Sequence, residues 1–267
     1  MPVTADRPFW LEHAWLDGRV ASGVVVDAAG GRIAAVRTDV PVPPPGAEPL
    51  RGFTLPGLAN AHSHAFHRAL RGSVQVGSGT FWTWREVMYG VAEALTPERY
   101  FTLARAVYAE MALAGITCVG EFHYLHHAPG GTRYGDPNAM GAALIAAAAD
   151  AGIRLTLLDT CYLSSGFGAE PDVHQRRFSD GTAEAWAERA AALRADDTTR
   201  IGAAVHSVRA VPADQLAAVA GWAGQRQAPL HVHLSEQTAE NEACRAAHGC
   251  TPTELLAEHG VLGPRTT

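Results

Sequence analysis

The chain has 267 residues, of which 47% are hydrophobic and 18% charged, the balance of a folded domain rather than of a disordered or fibrous chain. A formal net charge of −6 leaves no basic footprint for nucleic acid or for an anionic membrane surface. The longest charge-free apolar run, residues 139–149, is far too short to span a bilayer.

The first fifty residues read as strands and turns. "HAWLDGRVASGVVVDAAGGRIAAVRT" gives two or three short strands joined at Asp17-Gly18 and Gly30-Gly31. The Pro-rich stretch 41–49 then reads as a connector, so residues 1–50 are expected to form one small unit and 51–267 another. Beyond it, short apolar runs alternate with longer stretches of helical period. Strands are predicted over 53–61, 116–122, 154–160, 200–207 and 229–236. Helices are predicted between and after them, over 97–114, 138–151, 183–195, 213–226 and 238–247. Continuous apolar strands separated by helices indicate a parallel α/β sheet buried on both faces, either a TIM-type barrel or a doubly wound sheet.

The polar residues decide between the two. His62, His64, Glu121, His123, Asp159, His206, His233 and Glu236 fall at strand C-terminal ends, where a barrel keeps its chemistry. No Gly-rich dinucleotide loop is present. A (β/α)8 barrel needs eight units and five are visible, so the expectation is an incomplete barrel that stops before its sixth strand.

His62-x-His64 follows the first of these strands. Alternate residues of an extended segment share a side, so both imidazoles can converge on one ion, although a bare H-x-H also arises among surface histidines. His231-x-His233 repeats the spacing on another strand, with one ring expected inward. Glu236 lies three residues further on, in reach of a metal-activated water or, alternatively, as the capping carboxylate of the next helix. Two H-x-H elements plus an H-x-x-E point to metal-assisted hydrolysis. "FWTWRE" (residues 81–86) reads as an aromatic loop carrying Arg85, a carboxylate clamp or a solvated charge. Tyr124 offers a hydroxyl over the site, and "HSVR" adds His206 and Arg209 near the same mouth. Two arginines at one pocket imply an anionic substrate with two carboxylates.

Other residues read more plainly. Cys118 and Cys161 sit in apolar strands as core residues, and with Cys244 and Cys250 they form no C-x-x-C pair, so no disulfide framework is expected. Arg176, Arg177, Asp196 and Asp197 read as solvated loop charges. All 21 basic residues are Arg, which excludes Schiff-base chemistry, a P-loop and a Lys-bridged metal pair within this chain. The N-terminus carries no basic stretch followed by an apolar core, so a cytoplasmic location is expected.

The segments "LPGLANAHSHAFHRALRG", "FWTWREVMY", "EFHYLHH", "HSVRAV" and "HVHLSEQTAENEAC" together resemble the amidohydrolase superfamily. Within it they are similar to the deiminases that release ammonia from N-formimidoyl-L-glutamate, over about residues 51–250. The resemblance implies a barrel holding one zinc ion per subunit, flanked by a small β-sandwich to which residues 1–50 contribute. It implies His62, His64 and His233 as zinc ligands and Glu236 as proton shuttle. It implies Arg85, Tyr124, His206 and Arg209 as the groups that hold substrate, with His67 standing where the family carries Gln. A second catalytic His and a fourth ligand, an Asp, are expected from strands later than those read here. The implied partner is a small anionic substrate, and relatives of this kind are often homodimers. Two other readings stay open: a zinc deaminase of an aminated heterocycle, and a catalytically silent fragment.

Overall fold

The computed structural model describes residues 7–73 and 81–267, which divide into two compact units, Met1–Leu58 and Ala59–Thr267. In the first, β1 (Pro8–Leu16) and β2 (Arg19–Ala29) pair antiparallel across Asp17-Gly18. Both turn residues have positive φ, 48° and 78°, the conformation that matches the twist of a two-residue hairpin. β3 (Arg32–Arg37) extends the sheet, and β4 (Glu48–Thr54) returns parallel to β1, giving the order β3-β2-β1-β4. The Pro-rich segment is the return path. Val40 N–H bonds the Gly23 carbonyl at 2.9 Å, and any Cβ at position 23 would collide with the Val40 carbonyl oxygen.

The run 53–61, expected as one strand, is two. Leu55-Pro56-Gly57 breaks it, because Pro56 has no N–H for a ladder; β4 ends at Thr54 and β5 (Leu58–Ser63) begins the second sheet. Two helices follow, α1 (Phe81–Ala94) and α2 (Pro97–Leu113). Thr96 caps α2 by accepting from Arg99 N, with Pro97 in the first turn, where its missing donor is harmless. The alternation then runs β6 (Ile116–His123), α3 (Ala139–Ala151), β7 (Arg154–Cys161), α4 (Ala183–Ala190), β8 (Thr199–Val205), α5 (Ala213–Gln225), β9 (Leu230–Val232), α6 (Thr238–His248) and α7 (Pro252–Glu258).

The second sheet runs β5-β6-β7-β8-β9 in sequence order, with β6 to β9 paired in parallel. Its strands lie side by side in one direction with helical crossovers, a partial (β/α) barrel as the apolar runs predicted. Residues 265–267 continue it, since Leu230 N and Val232 N donate to the carbonyls of Arg265 and Thr267 at 2.9 and 3.0 Å. Two apolar clusters pack the sheet against its helices. One centres on Tyr100, Tyr108, Leu144 and Leu157, the other on Trp186, Val205, Leu216 and Leu256. Glycine at position 120 lets β5 approach β6, because a Cβ there would stand 2.7 Å from the Ala61 carbonyl oxygen. No helix among the described residues is long and apolar enough to cross a membrane.

Four expectations fail locally for identifiable reasons. "FWTWRE" opens α1 rather than a loop: Met88 and Ala92, four apart, are buried on one helical face, which carries Arg85 with it. The side chains of Phe81 and Trp82 lie outside the described residues. Arg177 is fully buried instead of solvated, donating to the Ala92 and Leu95 carbonyls at the end of α1. The helix over 183–195 stops at Ala190, and the Asp196 carboxylate then takes the N–H groups of Thr198 and Thr199 at 2.7 Å. The strand over 229–236 closes at Val232, and Ser235, at φ 54°, turns the chain. Cys161 is a core residue, while Cys118 is half-buried.

Candidate metal centre and active site

The last residues of β5 set the first two ligand candidates. His62 and His64 alternate along the strand and so point to one side. His64 Nδ1 lies 2.9 Å from the Phe122 carbonyl oxygen, to which only an N–H can bond, so this ring keeps its proton on Nδ1 and a lone pair on Nε2. His233 arrives just after β9. Its Nε2 lies 3.2 Å from His64 Nε2 and 3.3 Å from His62 Nε2. A tetrahedral ion with nitrogens at about 2.0–2.1 Å separates its ligand atoms by about 3.3 Å, so His233 Nε2 already stands from each of the other two nitrogens at the spacing such an ion requires. Burial lowers the affinity of all three rings for protons, taking His233 to about 3 and His64 well below its ordinary value. They are neutral at physiological pH, with lone pairs available to a cation. The residues present fit a divalent metal of the zinc type.

The strand end is itself anchored. Glu121 on β6 is fully buried and accepts from Ala65 N at 2.6 Å, one residue beyond His64. Burial pushes its carboxyl up to about 8.

Around the three imidazoles lies a cavity of about 560 Å³. Its wall includes every residue that the resemblance implies as ligand, shuttle or substrate contact: His62, His64, His67, Arg85, Tyr124, His206, Arg209, His233 and Glu236. His67 packs against the His64 ring, centroids 4.5 Å apart, and meets the Tyr124 hydroxyl at 3.0 Å. Burial holds His67 at about 4, so it is a neutral hydrogen-bonding group. His206, beyond the end of β8, stands edge-on to Tyr162 at 4.5 Å and to Tyr124 at 5.2 Å. Arg209 is held from behind by Glu240, Nε to carboxylate 2.7 Å, while its NH2 reaches Glu236 at 3.1 Å. Arg85 donates from Nε to the Tyr89 hydroxyl at 2.6 Å. Glu236 makes no cap for α6, whose N-cap Gln237 has no side-chain bond, so its carboxylate serves the cavity. His231 also borders the cavity but is not one of the three converging rings.

Sequence reasoning missed Tyr89, Tyr162, Gln175 and Glu240. Tyr162 and Gln175 lie in no motif, while Tyr89 and Glu240 fall inside "FWTWREVMY" and "HVHLSEQTAENEAC", segments read for other residues. A partial signal existed for Glu240: it follows Glu236 by four residues, which puts both carboxylates on the side of Arg209.

Three strand-end residues do not belong to the cavity wall: Glu121, which anchors the segment after β5, and two others. His123 and Asp159 lie in a separate buried group with His126. Both Asp159 oxygens are taken by Arg189, at 2.8 and 3.0 Å, and by Trp186 Nε1 at 2.8 Å. Arg189 also grips Asp180 at 2.9 Å, and Asp180 meets His127 at 3.1 Å. Burial alone would raise these carboxyls, but Arg189 draws Asp159 below its ordinary value, and His127, His126 and Arg189 together do so for Asp180. Asp180→Asn should therefore lower unfolding free energy by about 1.5–3 kcal/mol, the range for a hydrogen bond to a charged partner. Urea denaturation measures it, and a change under 0.5 kcal/mol would contradict the network's assigned weight.

The same buried rings make stability depend on pH. Burial and then Arg189 lower His126 to about 4, and burial lowers His123 well below its ordinary value. A native state that refuses protons which the unfolded chain accepts at about 6.5 loses stability as pH falls from there towards 4. Glu121 has the opposite sign, its contribution falling as pH rises towards 8. The buried imidazoles outnumber it, so metal-stripped protein should show a urea midpoint that climbs between pH 4.5 and 6.5. A flat or falling midpoint would contradict this.

Similarity to known proteins agrees with the fold. Residues 53–267 match the model of the amidohydrolase family. The chain is 41% identical to the formimidoylglutamate deiminase of Pseudomonas aeruginosa over 245 residues, 89% of this chain and 53% of that protein. The crystal structure of an amidohydrolase from Brucella melitensis superposes with a TM-score of 0.90 at 37% identity, covering 97% of this chain and 59% of the other. An atrazine chlorohydrolase from Arthrobacter aurescens, complexed with zinc, shares the fold with a TM-score of 0.81 at 23% identity and the same coverage. The chain spans about half the length of the curated relatives it matches. With the parallel half-barrel, the histidines at its strand ends and a family match over most of its length, the chain belongs to the amidohydrolase family.

Proposed function

We propose that the protein is a zinc-dependent deiminase that converts N-formimidoyl-L-glutamate and water into N-formyl-L-glutamate and ammonia, a step of histidine breakdown carried out in the cytoplasm. The observation that carries this reading is the convergence of three neutral imidazoles, one carboxylate and two arginines on one cavity. The 41% identity to the Pseudomonas deiminase supports the same substrate.

His62, His64 and His233 would hold the ion, His64 with its tautomer fixed by the Phe122 carbonyl. When bound, such an ion supplies Lewis acidity that lowers the pKa of water to about 7. Glu236 accepts a proton as the water oxygen adds to the formimidoyl carbon and passes it to the imino nitrogen, then carries the remaining hydroxyl proton to the same nitrogen, so that the C–O bond becomes C=O, C–N breaks and ammonia leaves with both protons of the water. Arg85 and Arg209 hold the two carboxylates and so fix where the reacting carbon sits. Arg209 keeps its aim through Glu240 even when its NH2 is shared between Glu236 and a ligand. Tyr124, His206 and His67 supply neutral hydrogen bonds near the formimidoyl group.

A nucleobase carries no carboxylates, so the paired arginines weigh against a heterocycle as substrate. Zinc-loaded protein from the complete open reading frame should release one ammonia per N-formimidoyl-L-glutamate. Inertness towards it, with guanine or cytosine deaminated instead, would overturn the proposal.

A further inference from the structure

Gln175 is fully buried and does not line the cavity, yet it is held on both sides. Its Oε1 accepts from Asp172 N at 2.9 Å, and a backbone N–H can only donate, so the amide oxygen is fixed at that end. The opposite end is therefore the NH2 group, which donates to the Tyr162 hydroxyl at 2.7 Å. A phenol oxygen that accepts from behind must send its own proton elsewhere. Tyr162 borders the cavity, with its ring 4.5 Å from that of His206.

We infer that Tyr162 is a third donor for the substrate's carboxylates, and that Gln175 is the positioning residue that turns its O–H towards the cavity. The inference rests on the dicarboxylate reading proposed above and deepens it. Arg85 and Arg209 both act electrostatically on this hydroxyl, which therefore lies in the field of the two guanidinium groups. Burial raises the Tyr162 phenol well above its ordinary value, so it keeps the proton it would donate. A ligand carboxylate entering between the arginines meets a neutral donor as well as two charges. Such a donor adds directional selectivity that point charges lack. The backbone of residue 172, the amide and the phenol form one chain of donors running from the β7–α4 segment to the cavity.

The test uses zinc-loaded full-length protein, with N-formyl-L-glutamate as calorimetric ligand and N-formimidoyl-L-glutamate as substrate. Tyr162→Phe, which keeps the ring, should weaken the ligand about tenfold and raise KM to match. Its kcat should change less than threefold, because the bond is the same in ground and transition states. Gln175→Met should weaken binding by three- to tenfold, and combining it with Tyr162→Phe should cost less than the sum of the two losses, since the amide reaches the ligand chiefly through that hydroxyl, its other neighbour, the Tyr89 hydroxyl, being held by Arg85. Additive losses, or wild-type affinity in Tyr162→Phe, would overturn the inference while leaving the deiminase reading intact. Wild-type protein that binds no dicarboxylate would overturn both. Should Gln175→Met not fold, Tyr162→Phe alone decides, through the split between KM and kcat.

Discussion

Glu236→Gln is expected to lower kcat for ammonia release by about 10²–10⁴-fold, the usual contribution of a positioned acid–base group. The amide matches the carboxylate in size and can still bond to its neighbours, but it cannot take up a proton from water. Glu236 is well placed for that single task. It borders the cavity, its side chain is 40% exposed, and Arg209 NH2 holds it at 3.1 Å. It is not one of the three converging imidazoles, so metal content should stay at the wild-type level. Steady-state ammonia release and elemental analysis of the same preparation check both halves. A kcat within tenfold of wild type would remove Glu236 from its role, and loss of metal would make it a ligand instead.

His233→Ala should weaken zinc binding by more than about 100-fold, beyond the 10–100-fold typical of losing a partner behind a ligand. The two remaining rings, His62 and His64, come from one strand and cover only one side of an ion. The substitution falls just outside β9 at a half-buried position, so the fold should persist. His231→Ala is the paired control. It removes an equally sized ring two residues away, outside the converging set, and should change zinc affinity less than about threefold. Competition against a chromophoric chelator measures both, and the opposite ranking would mean that His231, not His233, joins His62 and His64 around the ion.

The two central predictions rest on residues that were legible in sequence, and the reason is physical. A β-strand has a strict two-residue period, so the H-x-H at 62–64 puts both rings on one side, whereas at 231–233 the strand ends at Val232 and only His233 joins them. The runs of 154–160 and 200–207 likewise read as buried parallel strands because apolar residues dominate their interiors and their charged residues fall at or near the ends. What the sequence hid was carried by contacts without a period. Arg177 looked like one of a solvated pair, yet it closes the end of α1 from across the fold. Asp159 stood at a strand end like the site residues, but Arg189, 30 residues later, claims its carboxylate. Gln175 bears on the cavity through the Tyr162 hydroxyl, 13 residues earlier, and is held for it by the turn at Asp172. The loop reading of "FWTWRE" failed because its aromatic density masked the four-residue spacing of Met88 and Ala92.

Anomalous diffraction recorded at the zinc edge from zinc-soaked crystals would settle whether one cation unites β5 and β9. We predict a single strong peak lying about 2.0–2.1 Å from Nε2 of His62, His64 and His233, with Glu236 beside it but not bonded to it. An absent peak there, or the principal peak at His123, His126 and Asp159, would contradict the account.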